Sequence, residues 1–191
     1  MTDPANRGEN FAVPLPEDIQ EKISFQSYDS IPRLAGVRMR PLRKHRSENG
    51  WFTELLRLDA GDFEDGEGGA PFSVRQLSAS FACPGRINAF HIHPRRGQNE
   101  LWTVVQGQLT IWLADCRAES TTSGMRQQVI LSGEEPAQLH IPGGVAHGYR
   151  AGPHGALLVY AMDRQFDPGD PDEGRLAWDY FGAALWDEDT G

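Results

Sequence analysis

The chain has 191 residues, with Lys+Arg 18 against Asp+Glu 27 for a net charge of -9, and 39% hydrophobic residues alongside Gly 21 and Pro 13. That length suits one domain with a sizeable core, and no break in composition argues for a second. The negative balance repels nucleic acid and anionic lipid, and no apolar run is long enough to cross a bilayer, so nucleic acid and membrane are excluded as partners.

Met1 to Asn10 is polar and lacks a basic region followed by an apolar stretch, so no secretory signal is expected and a cytoplasmic location is. Residues 1–30 read as a polar N-terminal extension, in which Pro14 and Pro16 interrupt any helix and Asp18 to Ile23 forms at most a short one. Residues 31–191 read as a single domain. The run from Asp59 to Gly69 is acidic and glycine-rich, which predicts a flexible loop inserted in that domain.

From Phe72 onward, short apolar or alternating runs are bounded by turn residues. They predict strands at Ser73 to Phe81, Arg86 to His93, Glu100 to Val105, Gln108 to Ala114, Gln127 to Leu131, Ala137 to Ile141 and Ala156 to Asp163. Many short strands with little helix between them predict an all-β antiparallel barrel or sandwich with short peripheral helices. Cys83 and Cys116 fall in or beside these strands and read as buried free thiols. The aromatic stretch from Ala177 to Trp186 has no clear period and is read as a cap on a core or a subunit interface.

The chemistry concentrates between Gly85 and His147. Residues two apart on a strand share a face, so His91 and His93 enter one cavity while Ile92 packs outward. Glu100 on the next strand and His147 behind the Pro142-Gly143-Gly144 turn complete three nitrogens and one oxygen. Such a set suits a divalent transition ion with positions left open for substrate or water, and ligand type alone leaves the ion's identity open. Arg95 and Arg96, beside the histidine pair, read either as a solvated turn or as a phosphate clamp. His140 reads as structural, His45 and His154 as solvated, and Trp102 and Trp112 as core or cavity lining.

Beyond this ligand pattern, a run of motifs resembles the dTDP-4-dehydrorhamnose 3,5-epimerases of the cupin superfamily, over roughly Ile31 to Trp186. The motifs are Gly50-Trp51-Phe52-Thr53-Glu54, Gln76 leading to His91, Asp115-Cys116-Arg117 with Ser120, Thr122 and Gly124, Leu131-Ser132, Ile141 to Tyr149, Tyr160, Phe166-Asp167-Pro168 and Trp178. Their order is the family's order. The resemblance implies a cupin double-stranded β-helix, a jelly-roll barrel, and a homodimer. It also implies that His91 abstracts a proton next to a keto group of a nucleotide-linked sugar, that Tyr160 returns one to the other face, and that no metal takes part.

The departures from the family pattern cluster at the site. Asn49 and Asn88 stand where the family has arginines, Glu100 where it has a lysine, and His93 where it has a glutamine. Those cations bind the substrate's diphosphate in the family, and Glu100 would repel a phosphate. The late family segment whose Asp pairs with the catalytic His finds no counterpart before Gly191. The same substitutions restore a metal-binding set of His91, His93, Glu100 and His147.

The leading expectation is therefore a divergent sugar epimerase or isomerase that moves a proton next to a carbonyl with a divalent transition ion in the barrel. Gln76, Asn88, Arg86, Arg95 and Arg96 are its candidate substrate-binding residues. One alternative is the metal-free nucleotide-sugar 3,5-epimerase proper, with Arg75, Arg86, Arg95 or Arg96 replacing the lost cations. Another is a metal-dependent cupin oxygenase or small-molecule binding module.

Overall fold

The computed structural model describes residues 12–25, 33–57 and 72–187. By its internal contacts the chain divides into two compact units, Met1–Ile31 and Pro32–Gly191. In the first, a single helical turn, α1 (Glu17–Gln20), starts behind Pro16, whose fixed φ suits a helix start. It is shorter than the expected Asp18 to Ile23. The acidic run from Asp59 to Gly69 lies outside the described residues. No helix among the described residues is long and apolar enough to cross a membrane.

The second unit is built from antiparallel strands. An eight-stranded sheet joins β1 (Arg38–Pro41), β4 (Gln76–Ala82), β5 (Ile87–Ile92), β6 (Glu100–Asp115), β7 (Arg126–Ser132), β8 (Ala137–Ile141), β9 (Val145–Met162) and β10 (Gly174–Arg175). A separate hairpin pairs β2 (His45–Ser47) with β3 (Gly50–Phe52). This architecture agrees with the all-β antiparallel barrel or sandwich that the strand spacing predicts and with the cupin jelly roll that the resemblance implies.

Two long strands organise the barrel. β6 and β9 pair along nearly their whole lengths, Glu100 opposite Met162 at one end and Asp115 opposite Val145 at the other. The register slips between Val104 and Gln106 and again between Gly107 and Leu109, so both strands bend there and serve two walls. The two strands expected at Glu100 to Val105 and Gln108 to Ala114 are thus one bent strand. Gly107 makes the bend possible: its φ is +74°, and a Cβ added there would sit 1.9 Å from the Gly155 carbonyl oxygen.

Alternation along these strands sorts side chains into three layers. Inside lie Val104, Leu109, Ile111, Leu113, Leu131, Leu139, Ile141 and Leu158, all nearly fully buried. On one outer face Leu101 and Ala161 pack with Phe72. On the other, Phe90 of β5 packs with Ala114, Ala146 and Trp186. Phe90 meets Phe181 edge-on at 5.0 Å between ring centroids and Trp186 at 5.3 Å. The C-terminal aromatics Phe181 and Trp186 therefore cap a core, whereas Trp178 and Tyr180 are exposed.

At the barrel end away from Glu100, the buried Asp115 carboxylate accepts hydrogen bonds from Arg117 Nε (2.8 Å), Ser120 (2.5 Å) and Thr122 (2.6 Å). Thr122 in turn accepts the Ala35 N–H at 2.9 Å. The Arg117 guanidinium, then the hydroxyls of Ser120 and Thr122, hold the Asp115 carboxyl far below the usual range despite its burial. The Asp115-Cys116-Arg117 motif is thus a structural staple. Cys83 and Cys116 are free, as expected, but both are exposed rather than buried, because they fall just past the ends of β4 and β6.

Candidate active site

The open end of the barrel holds a cavity of about 330 Å³ lined by Gln76, Asn88, His91, His93, Glu100, Trp102, His147, Tyr149 and Tyr160, with Arg96, Arg164, Phe166, Asp172 and Glu173 near its rim. β5 brings in His91, whose backbone lies opposite His147 of β9. β6 brings in Glu100 and Trp102, the latter paired with Tyr160. Trp102 lines the cavity, but Trp112 packs beneath the C-terminal segment and donates to the Leu185 carbonyl at 2.7 Å.

At the floor, the Glu100 carboxylate is 5% exposed and almost saturated with partners. Oε1 lies 3.0 Å from His93 Nε2 and 2.9 Å from the Gln98 side-chain amide. Oε2 accepts the Trp102 indole N–H at 2.6 Å and lies 3.6 Å from His147 Nε2. Burial, the largest single influence, works against its charge, yet the His93 hydrogen bond and the nearby imidazoles and indole bring its pKa down to about 2. Burial likewise opposes a charge on His93, but Glu100 and the Asp172 carbonyl raise its pKa. His147 is wholly enclosed, and that burial lowers its pKa.

Each ring is fixed from behind. His93 Nδ1–H donates to the Asp172 carbonyl, and His147 Nδ1–H to the Val145 carbonyl at 3.1 Å. His91 Nδ1 faces Glu173 Oε1 at 3.3 Å. On its other side His91 Nε2 lies 3.1 Å from the Asn88 amide oxygen. An amide turned by half a rotation donates to a neutral Nε2 instead, and its oxygen then faces the Tyr149 hydroxyl. Burial first, then the charges of His147 and Arg175, lower the His91 pKa to about 4, against the opposing pull of Glu173 and Glu100.

The structure brings His93, Glu100 and His147 together, with ligand atoms all within 4.8 Å of one another, and holds His91 outside that group. Tyr160 lines the same cavity beside Ser78, with burial raising the pKa of its phenol. Gln76 lines it too and accepts the Phe166 N–H at 2.8 Å. The arginines fare differently. Arg86 is exposed at the start of β5, away from the cavity lining. Arg95 and Arg96 are tied to Asp170 at 3.1 and 2.5 Å, and only Arg96 reaches the lining. His140, as expected, is structural: it meets the Gly36 carbonyl at 3.0 Å behind the sheet.

Sequence reasoning left His91 without an acidic partner, and Glu173 supplies one. It arrives on a strap in which Asp172 accepts the backbone N–H groups of Arg95 and Arg96 at 2.8 and 2.7 Å, and Arg175 pairs in register with His91. No local pattern in Asp170 to Glu173 distinguishes this segment from an acidic surface loop. Gln98 and Arg164 were missed for the same reason: each is a lone polar residue just outside a strand.

Residues 32–184 match the family model described as dTDP-4-dehydrorhamnose 3,5-epimerase. The chain belongs to this epimerase family, whose members are sugar isomerases. It is 36% identical over 147 residues to the spore coat polysaccharide biosynthesis protein SpsL of Bacillus subtilis, covering 76% of this chain and 91% of that one. It is 27% identical over 150 residues to the probable low-salt glycan biosynthesis epimerase Agl13 of Haloferax volcanii, covering 78% and 91%. Among solved structures, the dTDP sugar isomerase of Desulfovibrio desulfuricans G20 superposes with a TM-score of 0.66 at 28% identity, covering 77% and 87%.

Proposed function

We propose that this chain is a sugar epimerase that moves a proton on the carbon next to the keto group of a thymidine-diphosphate-linked sugar, with His91 as base and Tyr160 as acid. The contact between His91 Nδ1 and Glu173 carries the reading. A carboxylate that accepts the Nδ1 proton fixes the tautomer, leaves the lone pair at Nε2, and stabilises the imidazolium that forms.

In the reaction His91 Nε2 takes the C–H proton, and the bonding pair moves onto the carbonyl as an enolate. Tyr160 then returns a proton to the opposite face of that carbon, and the two side chains recover their own protons through solvent. At the mouth Arg164 offers a cation for the diphosphate, among the acidic Asp167, Asp172 and Glu173. These steps ask for no metal, so the divalent ion predicted from the sequence enters only as an addition to them.

The test is incubation with a thymidine-diphosphate-linked 4-keto-6-deoxy sugar in deuterium oxide. Deuterium appearing next to the keto group, and lost with His91→Asn, is the expected result. No incorporation into this or any other nucleotide-linked keto sugar would overturn the reading. We further propose a cytoplasmic homodimer of single-domain chains spanning residues 31–191. The exposed Leu77 and Phe81 of β4 offer apolar surface to a second copy, which light scattering on a chromatography column would register.

A further inference from the structure

The floor of the cavity presents an electrostatic problem that its own groups do not solve. His93 and His147 each give the Nδ1 proton to a backbone carbonyl, which turns both Nε2 atoms inward. Between them lies Glu100, with one oxygen 3.0 Å from His93 Nε2 and the other 3.6 Å from His147 Nε2. The three residues are 7%, 3% and 5% exposed for His93, His147 and Glu100, so water does not dilute the arrangement. A neutral imidazole offers a lone pair at Nε2, and a lone pair facing a carboxylate oxygen in a buried site is repulsive. One proton relieves one of the two contacts. A single cation bonded to all three atoms relieves both.

The surroundings are arranged as outer contacts of a metal site are. Carbonyls orient both imidazoles, while the Trp102 indole and the Gln98 amide hold the two carboxylate oxygens at 2.6 and 2.9 Å. Glu100 places a negative charge between the two imidazoles, which attracts a cation to this point.

We infer that His93, Glu100 and His147 form a binding site for one divalent transition ion, and that His91 is not a ligand. Two imidazole nitrogens and one carboxylate oxygen suit zinc, cobalt, nickel, manganese or iron and leave positions open for oxygen atoms of a sugar. When bound, the ion supplies Lewis-acid polarisation of a carbonyl. His91 lies outside the three-residue group with its Nδ1 against Glu173, so one imidazole is left for the proton while the other two hold the ion.

The experiment uses the full-length chain stripped with a chelator and titrated with cobalt(II), followed by calorimetry and by visible absorption of the bound ion, without sugar. The expected result is one cobalt per chain, bound more tightly than about 10 μM. His93→Gln, Glu100→Gln and His147→Gln should each weaken binding by more than the roughly 10–100-fold that loss of an outer contact costs. His91→Asn should leave the affinity within about 3-fold of the parent. Circular dichroism verifies folding, and if Glu100→Gln fails to fold, Trp102→Phe replaces it, with an expected loss of about 10-fold. No binding by the parent chain overturns the site, and equal loss in His91→Asn overturns the three-ligand set. Sugar turnover plays no part in these readouts, so failure of the epimerase reading would leave them unchanged.

Discussion

Glu173 Oε1 stands 3.3 Å from His91 Nδ1, and the residue after next, Arg175, is paired in register with His91 across β10 and β5. The carboxylate is therefore fixed to the strand that carries the base. Glu173→Gln keeps the shape but presents an amide that donates as readily as it accepts. It should lower kcat by about 10–100-fold with KM little changed, as expected for a group that acts by stabilising the transition state. Steady-state kinetics on the parent and variant measure the split, and a rise in KM alone would count against this role.

The His91 pKa of about 4 sets the acid limb of activity. The base is unprotonated above that value, so kcat/KM should stay level from neutral pH down to about pH 5 and fall below it, rather than falling near 6.5. Stability moves in the same direction. Because folding depresses this His, the folded state binds fewer protons than the unfolded chain between about pH 4 and pH 6.5, and its stabilising contribution is lost as pH falls through that window. A pH–rate profile, with denaturation curves at each pH, follows both.

Tyr160 is assigned the return proton, which separates exchange from inversion. Tyr160→Phe should still incorporate deuterium next to the keto group, through His91, while the epimerised product falls by at least about 100-fold. NMR of the recovered sugar reads both quantities in one sample. Unchanged product formation would remove the phenol from the mechanism.

The cations at the mouth differ in what they are bound to. Arg95 is paired with Asp170 and lies off the cavity lining, whereas Arg164 is on it. Arg164→Ala should raise KM for a diphosphate-linked sugar several-fold, by about 1 kcal/mol or more, and Arg95→Ala should leave it nearly unchanged. Exposed ion pairs such as that of Arg95 contribute about 0–1 kcal/mol to stability, so its removal should also leave the melting temperature close to the parent's.

At the barrel bend, Gly107→Ala forces a Cβ to within 1.9 Å of a backbone oxygen at a positive φ. No flexible side chain can yield there. The expected loss is more than about 4 kcal/mol, seen as a lowered denaturation midpoint or as failure to fold.

The sequence was most legible where period and chemistry coincide. The strand run of β7 follows from a two-residue repeat with one face buried, and the His91-Ile92-His93 and Glu100-Leu101-Trp102 spacings were legible from residue type, since residues two apart share a face. The first half of β9 escaped because Val145 to Tyr149 is buried on both faces, which erases alternation. β1 escaped for the opposite reason, with arginines at Arg38 and Arg40 interrupting a short edge. At the site, the cavity residues on long strands were readable. The strap that carries Asp172 and Glu173 was not, since what brings it to His91 is pairing between residues more than 80 positions apart.

That strap gives the molecule two different tolerances to heat. β10 contains only Gly174 and Arg175, and the loop leading into it is exposed, whereas β6 and β9 are long strands locked to each other through the core. Short, exposed segments open at a small fraction of the free energy needed to unfold a core. The carboxylate behind His91 is thus held by a segment that opens more readily than the barrel, and catalytic activity should decline on warming at temperatures where the barrel is still intact.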